Sequence, residues 1–362
     1  MRDKSRSWVA PMVPATPLGF EPNLREKGMF LSCDGHRRGR PSAIAVLVVL
    51  LLGSNALGQT TQSLDTKGTL VITLGTAGGP RPRVDRAQSA NLVVVNGKPY
   101  LVDVGENVVR RLTQAGVNIL GVDQVFITHG HSDHTLGLPA LLATQWEFQR
   151  RKPIEIIGPP GTSKLVADAL IFLSSNSAIR FAEGFPSPID NIVKVSDAMP
   201  GIVFQDENVT VHAVENTHFH FPEGSPAFGR FKSYSYRFST SDRSIVFTGD
   251  TGPSPEVTAL AKGADLLVSE VMPVEQLVEL YKKNGTWQAK SPEEQAGWLR
   301  HQMEEHLSPE AVGQLAVDAG VKKVVLTHLV PIESEQGYKD VAERVARIFH
   351  GPVLIAKDLA KY

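Results

Sequence analysis

The sequence has little of what several protein classes require. Its 362 residues contain one cysteine, Cys33, which argues against a disulfide framework and against metal sites built from cysteine thiolates. Basic and acidic residues nearly balance, at 37 against 38, and no internal repeat or low-complexity linker appears, so disorder, a collagen-like chain and a coiled coil are excluded. What is present, with 42% hydrophobic residues, 31 glycines and 24 prolines, is ordinary for a folded soluble protein.

The most apolar run of the chain lies near the N-terminus. Basic residues at 37–40 precede an apolar stretch at 43–52, and small residues follow at 56 and 58. This order is typical of a secretory signal peptide. The run is shorter than the roughly 20 apolar residues that a membrane span needs. An uncleaved anchor and a buried helix stay open as alternatives, and Met29 is a second candidate for the start of the chain.

Cleavage near Gly58 would divide the chain into two parts, an N-terminal extension with signal peptide over residues 1–58 and one folded domain over 59–362. The prediction is a periplasmic or secreted protein with no stable membrane span in the mature chain. That mature part has 29 basic against 34 acidic residues. A net negative surface repels polyanions, so the balance argues against a nucleic-acid partner.

From Thr69 onward, short β-branched runs alternate with helical patterns, and both hairpins and strand–helix pairs appear. Strands are predicted at 70–74, 92–95, 100–103, 124–128, 154–157, 209–214, 233–238, 244–248, 266–269, 323–327 and 353–356. Helices are predicted at 107–115, 136–148, 161–173, 255–262, 273–283, 292–304, 309–319 and 335–348. This mixture predicts an α/β (α+β) domain with mixed sheets. The segment 175–207, rich in Ser, Pro and Asn, is predicted to be a surface excursion.

The strongest local signal follows the predicted strand at 124–128. His129, His131, Asp133 and His134 fall within six residues, where a strand gives way to a helix. Imidazole and carboxylate groups are common ligands of transition metals. The cluster therefore predicts a metal-binding loop.

Potential ligands also follow three other predicted strands. His218, Asp250 and His328 each come two to four residues after the end of an apolar run. A catalytic metal loop needs ligands from elsewhere in the fold, so these residues are predicted to converge on it. His220 competes with His218, because alternate residues of an extended segment face the same way.

The order His-x-His-x-Asp-His, then His, Asp and His, resembles the metallo-β-lactamase superfamily over residues 70–356. Motifs at 74–80, 101–105 and 158–161 resemble its ribonuclease Z and arylsulfatase-like branch. The resemblance implies a metallo-β-lactamase-type αββα four-layer sandwich with two mixed β-sheets and two metal ions at one edge. It implies a first metal on His129, His131 and His218, a second on Asp133, His134 and His328, and Asp250 bridging the two.

The chemistry of such a site depends on its ligand types. With only nitrogen and oxygen donors, two Zn²⁺ ions are the default, and Mn or Fe is an alternative. Two cations that share a water lower its pKa and supply a hydroxide nucleophile. The resemblance further implies catalytic roles for Asp133, for His306 as general acid, and for Glu270 as the carboxylate that orients and charges that histidine. Asp103 is expected to hydrogen-bond to the metal loop.

We predict from these features an enzyme, a metal-dependent hydrolase acting on ester bonds. The expected substrate is a small-molecule ester (an aryl sulfate, phosphodiester or lactone), which a metal-bridging hydroxide attacks in an exported protein, with a homodimer left open. Five aromatic residues are candidates for an apolar aryl pocket: Phe219, Phe221, Phe228, Phe231 and Trp287.

Three alternatives stay open. A ribonuclease Z-type phosphodiesterase for tRNA 3′ processing would need a basic arm, and the stretch 161–209 has few basic residues. A mononuclear-iron redox enzyme of the same fold would lose second-site ligands such as Asp133. A non-catalytic metal-holding module would show erosion of the ligand set.

Overall fold

The structure is a computed structural model that describes residues 67–185 and 187–362. The predicted leader lies outside the described residues and stays a prediction, as does the division of the chain at residue 58.

The described chain forms strands and helices in a mixed order. The strands are β1 Thr69–Gly75, β2 Ala90–Val95, β3 Lys98–Val102, β4 Gln124–Phe126, β5 Ile154–Gly158, β6 Val193–Asp197, β7 Gly201–Gln205, β8 Val209–Glu215, β9 Tyr234–Thr240, β10 Ser244–Phe247, β11 Leu266–Val271, β12 Val324–Leu329, β13 Val353–Ile355 and β14 Ala360–Lys361. The helices are α1 Val108–Gln114, α2 Ser132–Thr135, α3 Leu138–Glu147, α4 Thr162–Ala182, α5 Pro255–Leu260, α6 Val274–Lys283, α7 Pro292–Glu304, α8 Pro309–Ala319 and α9 Glu335–Ala346. Short 3-10 turns lie at Ile119–Gly121 and Ile189–Ile192.

The strands form two mixed sheets. The first has the order β14-β1-β2-β3-β4-β5-β6, and the second has the order β13-β12-β11-β10-β9-β8-β7. In the first sheet β3 to β6 are parallel and β14 to β3 antiparallel. In the second, β10 to β13 are parallel and β7 to β10 antiparallel. Each sheet therefore joins a parallel half to a hairpin half, as the sequence predicted.

Three layers of apolar contacts give the order helix, sheet, sheet, helix. Side chains between the sheets, such as Phe126 of β4 and Phe238 of β9, form a central core. A second core packs the outer face of the first sheet against α1, α3 and α4, and a third packs the second sheet against α5, α8 and α9. The predicted αββα four-layer sandwich is confirmed.

The two sheets are hydrogen-bonded to each other next to the predicted metal loop. The Tyr236 hydroxyl of β9 donates to the carbonyl oxygen of Ile127 over 2.7 Å, and the Tyr234 N–H donates to that of Thr128 over 2.9 Å. Since Tyr236 is fully buried, its hydroxyl needs such a partner. These bonds hold the end of β4 against the second sheet, where the other predicted ligands lie.

The segment 175–207 differs from its prediction. It contains the end of α4 and the strands β6 and β7, each of which is the edge strand of one sheet. The alternation of these strands is weak because an edge strand exposes much of both faces. The predicted surface excursion is therefore wrong for this segment.

Helix α4 extends nine residues beyond its predicted end at 173. By length and composition alone, α4 could cross a membrane. In the fold it lies on the outer face of the first sheet, against which Val166 and Leu173 pack. A core helix of a soluble protein passes the same test of length and composition.

Candidate metal centre

The loop after β4 is held by Asp103, which is buried at the end of β3. Its Oδ1 accepts the backbone N–H of Thr128 over 2.8 Å, and its Oδ2 lies 2.8 Å from Nδ1 of His134. A carboxylate on one ring nitrogen orients the imidazole and leaves the other nitrogen as the ligand atom. Asp103 thus positions both ends of the loop, in agreement with the sequence.

One group of possible ligands consists of His129, His131 and His218. The Nδ1 atom of His131 lies 3.1 Å from Nε2 of His129 and 3.1 Å from Nε2 of His218. The Nδ1 of His218 faces the carbonyl oxygen of Glu305 at 3.0 Å, so that nitrogen carries the proton and Nε2 is the free ligand atom. Of the three, only His131 is exposed, so the group opens to solvent on its side.

A second group consists of Asp133, His134, Asp250 and His328, all of which are buried. Nε2 of His328 lies 3.2 Å from Oδ2 of Asp133 and 3.2 Å from Oδ2 of Asp250. Nε2 of His134 lies 3.4 Å from Oδ1 of Asp250. Oδ2 of Asp250 also lies 3.9 Å from Nε2 of His129 in the first group. The Asp250 carboxylate therefore lies between the two groups.

The electrostatics of the first group, and of the carboxylate between the two groups, suit metal binding. Burial lowers the pKa of His129 and of His218 well below the usual value, so both rings are neutral, the form that binds metal. Burial works to raise the pKa of Asp250, but His328 and His134 hold it well below its usual range. The carboxylate therefore stays ionised.

Several polar atoms of the second group have no hydrogen-bond partner among residues 67–185 and 187–362. They are Nε2 of His134, Oδ1 of Asp250 and Nδ1 of His328. Unpaired buried polar atoms cost free energy unless something binds them. A donor set of nitrogen and oxygen atoms with such orphans fits divalent cations.

The backbone at the site is locally constrained. Asp103 and His328 have φ of 61° and 52°, in the left-handed region that non-glycine residues rarely adopt. His328 also lies directly against Gly78, where an added Cβ would come within 2.3 Å of the His328 carbonyl oxygen. Glycine is therefore required at position 78 for this approach.

His306 and Glu270 form a buried pair beside the two groups. Nδ1 of His306 lies 2.7 Å from Oε2 of Glu270, whose Oε1 accepts the N–H of Thr251 over 2.7 Å. His306 belongs with His218 and Asp250 to a further cluster of ligand-type atoms. Burial works to lower the pKa of His306, but the Glu270 carboxylate raises it to about 9. The pair has the geometry of a histidine that a carboxylate keeps protonated. The role of His306 as a catalytic acid stays a prediction.

Sequence reasoning missed a second histidine–carboxylate pair. The polar helical sequence around His301 predicts a surface position, but its Nδ1 lies 2.8 Å from Oε2 of Glu305, and its ring centroid is 5.2 Å from that of His306. It lines a cavity of about 350 Å³ together with His131 and His306. The only available signal was its spacing of five residues before His306. His220, in contrast, is exposed and lies outside these groups, so of the two competing histidines it is His218 that joins the first group.

The predicted aromatic pocket forms in part. Phe219, Phe221 and Phe231 line a cavity of about 570 Å³ that also touches His131. Phe228 is 55% exposed and does not line this cavity. Trp287 packs against Trp298 with ring centroids 5.7 Å apart. The last two residues therefore do not belong to the pocket.

Two stacked sheets with two groups of potential metal ligands at one edge are features of a known protein family. A profile of the beta-lactamase superfamily domain matches residues 100–329. The chain therefore belongs to the metallo-β-lactamase superfamily of hydrolases, whose fold implies the binding of divalent metal.

Within this superfamily, the chain is similar to ribonuclease Z proteins in sequence and to several solved structures in fold. The chain is 32% identical to ribonuclease Z of Mycobacterium sp. (strain KMS) over 290 residues, which cover 80% of this chain and 94% of the relative. The short form of human tRNase Z superposes with a TM-score of 0.55 at 22% identity and covers 81% of this chain and 98% of its own. The metallo-β-lactamase fold protein YhfI from Bacillus subtilis gives a TM-score of 0.58 at 19% identity, with 82% and 99% covered.

Two expectations from the sequence are wrong in the light of these relatives. The small-ester hydrolase and the argument against a nucleic-acid partner are both contradicted by the match to ribonuclease Z along nearly its whole length. The physical error was to use net charge, which averages over the surface. Around the exposed His131, the two cavities are lined by four cationic side chains against one exposed acid: Arg81, Lys164, Arg230 and Lys232 against Asp168.

Proposed function

We propose that this chain is a metal-dependent phosphodiesterase of the ribonuclease Z type, which cleaves precursor tRNA at its 3′ end. The observation that carries the proposal is the 32% identity to a ribonuclease Z over 94% of that protein's length. The local cations support it, because phosphate neutralisation by Lys and Arg supplies much of the affinity for nucleic acids.

We further propose that the centre holds two zinc ions. His129, His131 and His218 would hold one, and Asp133, His134 and His328 the other, with Asp250 between them. Bound there, the cations would lower the pKa of water and offset phosphate charge. Zinc is the default for this imidazole-rich donor set, and Mn or Fe is the alternative.

The chain's own residues would then handle the proton of the leaving group. Glu270 holds Nδ1 of His306 over 2.7 Å, so Nε2 of the same ring is left to donate its proton to the departing ester oxygen. With a pKa raised to about 9, His306 is protonated at neutral pH and has a proton to give.

The test is cleavage of a precursor tRNA with a short 3′ trailer by zinc-loaded protein whose metal content has been measured. We expect a single cut that releases the trailer. Asp250→Ala should remove the activity and lower the bound metal, whereas Asp318→Ala, at an exposed position, should change neither. Metal-loaded protein that leaves the precursor intact would contradict the proposal.

The predicted leader bears on where such an enzyme would meet its substrate. Export after cleavage near Gly58 remains our proposal from the sequence pattern at 37–59, and it competes with tRNA processing, because precursor tRNA is processed inside the cell. The mass of the protein recovered from cells tests it, because cleavage predicts a chain that starts near Gln59. An intact leader on soluble cytosolic protein would overturn export.

A further inference from the structure

A cleft beside the metal centre has a function not yet assigned. Phe219, Phe221 and Phe231, here called the phenylalanine cleft, line a cavity of about 570 Å³ that reaches His129 and His131. The Phe219 ring lies edge-on to His131, with centroids 5.3 Å apart. The cleft therefore begins at the exposed ligand of the metal centre.

The rings of the phenylalanine cleft form a continuous aromatic surface. Phe219 and Phe221 lie nearly parallel at 16°, with centroids 5.9 Å apart, and Phe231 lies 5.9 Å from Phe221. Phe231 is 46% exposed, so this surface is not covered by the described chain. Planar groups stack on such rings whatever their hydrogen-bonding pattern, which is how many proteins hold unpaired nucleic-acid bases.

The charges around the cleft favour an anionic ligand with aromatic parts. Lys164 is paired with Asp168 at 2.7 Å and Lys232 with Glu215 at 2.6 Å. Arg230 has no carboxylate within 4.0 Å among the described residues, and its guanidinium lies over the Phe231 ring at 5.3 Å from the centroid. One cation is thus available at the rim, directly above a stacking surface.

The position of the cleft relative to His306 indicates which part of the substrate it would meet. His131 lines both the phenylalanine cleft and the cavity that contains His306. A phosphodiester at the metal centre has two ester arms, and these two cavities leave the centre from His131. The arm that departs as an alcohol must lie beside its proton donor, in the cavity of His306.

We propose that the phenylalanine cleft binds an unpaired base of the RNA substrate, that of the nucleotide which keeps the phosphate after cleavage, while Arg230 contacts the next phosphate. The assignment rests on the proposed function, since it takes the substrate to be RNA. Phe231 and Arg230 are the specificity-determining contacts, because both are exposed and Arg230 has no carboxylate within 4.0 Å among the described residues.

The test is the binding of a fluorescein-labelled single-stranded RNA hexamer to zinc-loaded protein, with phosphorothioate linkages that slow cleavage. A second hexamer of the same length lacks all bases. We expect the base-containing hexamer to bind about 10-fold more tightly than the abasic one, which is within the range for one stacked base. Phe231→Ala should remove most of that difference. Phe228→Ala is the matched control, because it alters an exposed phenylalanine of the same loop outside the cleft.

Arg230→Ala should weaken both hexamers alike, because it removes a phosphate contact. Equal binding of the two hexamers by wild-type protein, or equal effects of Phe231→Ala and Phe228→Ala, would overturn the cleft assignment. Failure of the proposed function is separate: it would appear as intact precursor tRNA in the cleavage assay, whatever the hexamers do. Cleavage of precursor tRNA with no effect of Phe231→Ala would reject the cleft alone.

Discussion

Glu270→Gln should move the basic limb of the pH–activity profile to lower pH. The substitution keeps the shape of the side chain and leaves Oε1 to accept the Thr251 N–H, but it removes the charge 2.7 Å from His306. An acid catalyst is active below its pKa and fails as the pH rises through it. Loss of the neighbouring charge therefore costs activity at alkaline pH first.

The magnitude follows from the environment of His306, which is 5% exposed. A rise in its pKa from 6.5 to about 9 corresponds to about 3 kcal/mol, at 1.36 kcal/mol for each pH unit. Burial acts in the opposite direction, while Asp250 and Glu305 add smaller rises that remain, so removal of the Glu270 charge should bring the pKa most of the way back to the usual histidine value. We expect the basic limb to fall by about two pH units.

The assay is kcat against pH on precursor tRNA, with the His306 ring signal followed by NMR as a substrate-independent check. Glu305→Gln is the control, because it removes a carboxylate of the same kind 2.8 Å from His301. That control should move the limb far less. A Glu270→Gln profile that coincides with wild type, or with Glu305→Gln, would refute the assignment of the acid.

Three further outcomes are expected. Gly78→Ala should lower the metal content and Tm, because the added Cβ would come within 2.7 Å of the His328 ring. Gly130→Ala is the control in the metal loop, since an added Cβ there meets open space and should change little. Equal metal content in the two variants would contradict this. Phe126→Ala should lower the free energy of unfolding by about 3–5 kcal/mol in urea titrations, whereas Phe148→Ala, at a 68% exposed side chain, should cost less than about 1 kcal/mol. Chelation should lower Tm by several degrees and added zinc should restore it, because saturation at 100 times Kd contributes about 2.7 kcal/mol; a Tm that ignores chelator would contradict a native-state metal site.

Much of the fold could be predicted because buried strands carry their own signal. Runs such as β2 and β12 are fully buried and β-branched, so the pattern alone identifies them. The edge strands β6 and β7 and the two-residue β14 escaped prediction. β6 and β14 pair with strands that are distant in sequence. β7 forms a hairpin with β8, but none of its residues is buried, so it lacks the apolar pattern of a core strand.

The site could be predicted where ligands follow strands and not where they lie on helices. His218, Asp250 and His328 come at the ends of β8, β10 and β12, which run in the same direction and so end at one edge of the second sheet. His301 lies within α7, and helical periodicity says which face it shares but not which partner that face meets. The argument against a nucleic-acid partner failed because composition averages over the whole surface and does not show where cations lie around one opening.

Each of the two groups of ligands combines residues from both halves of the chain, and this has a consequence for biogenesis. The loop at 129–134 belongs to the first sheet, whereas His218, Asp250 and His328 belong to the second. Neither sheet alone could retain a cation tightly, so capture must wait until the last of these strands, β12, has docked. Metal uptake during refolding would therefore report completion of the whole sandwich, and a nascent chain interrupted before β12 would remain unloaded.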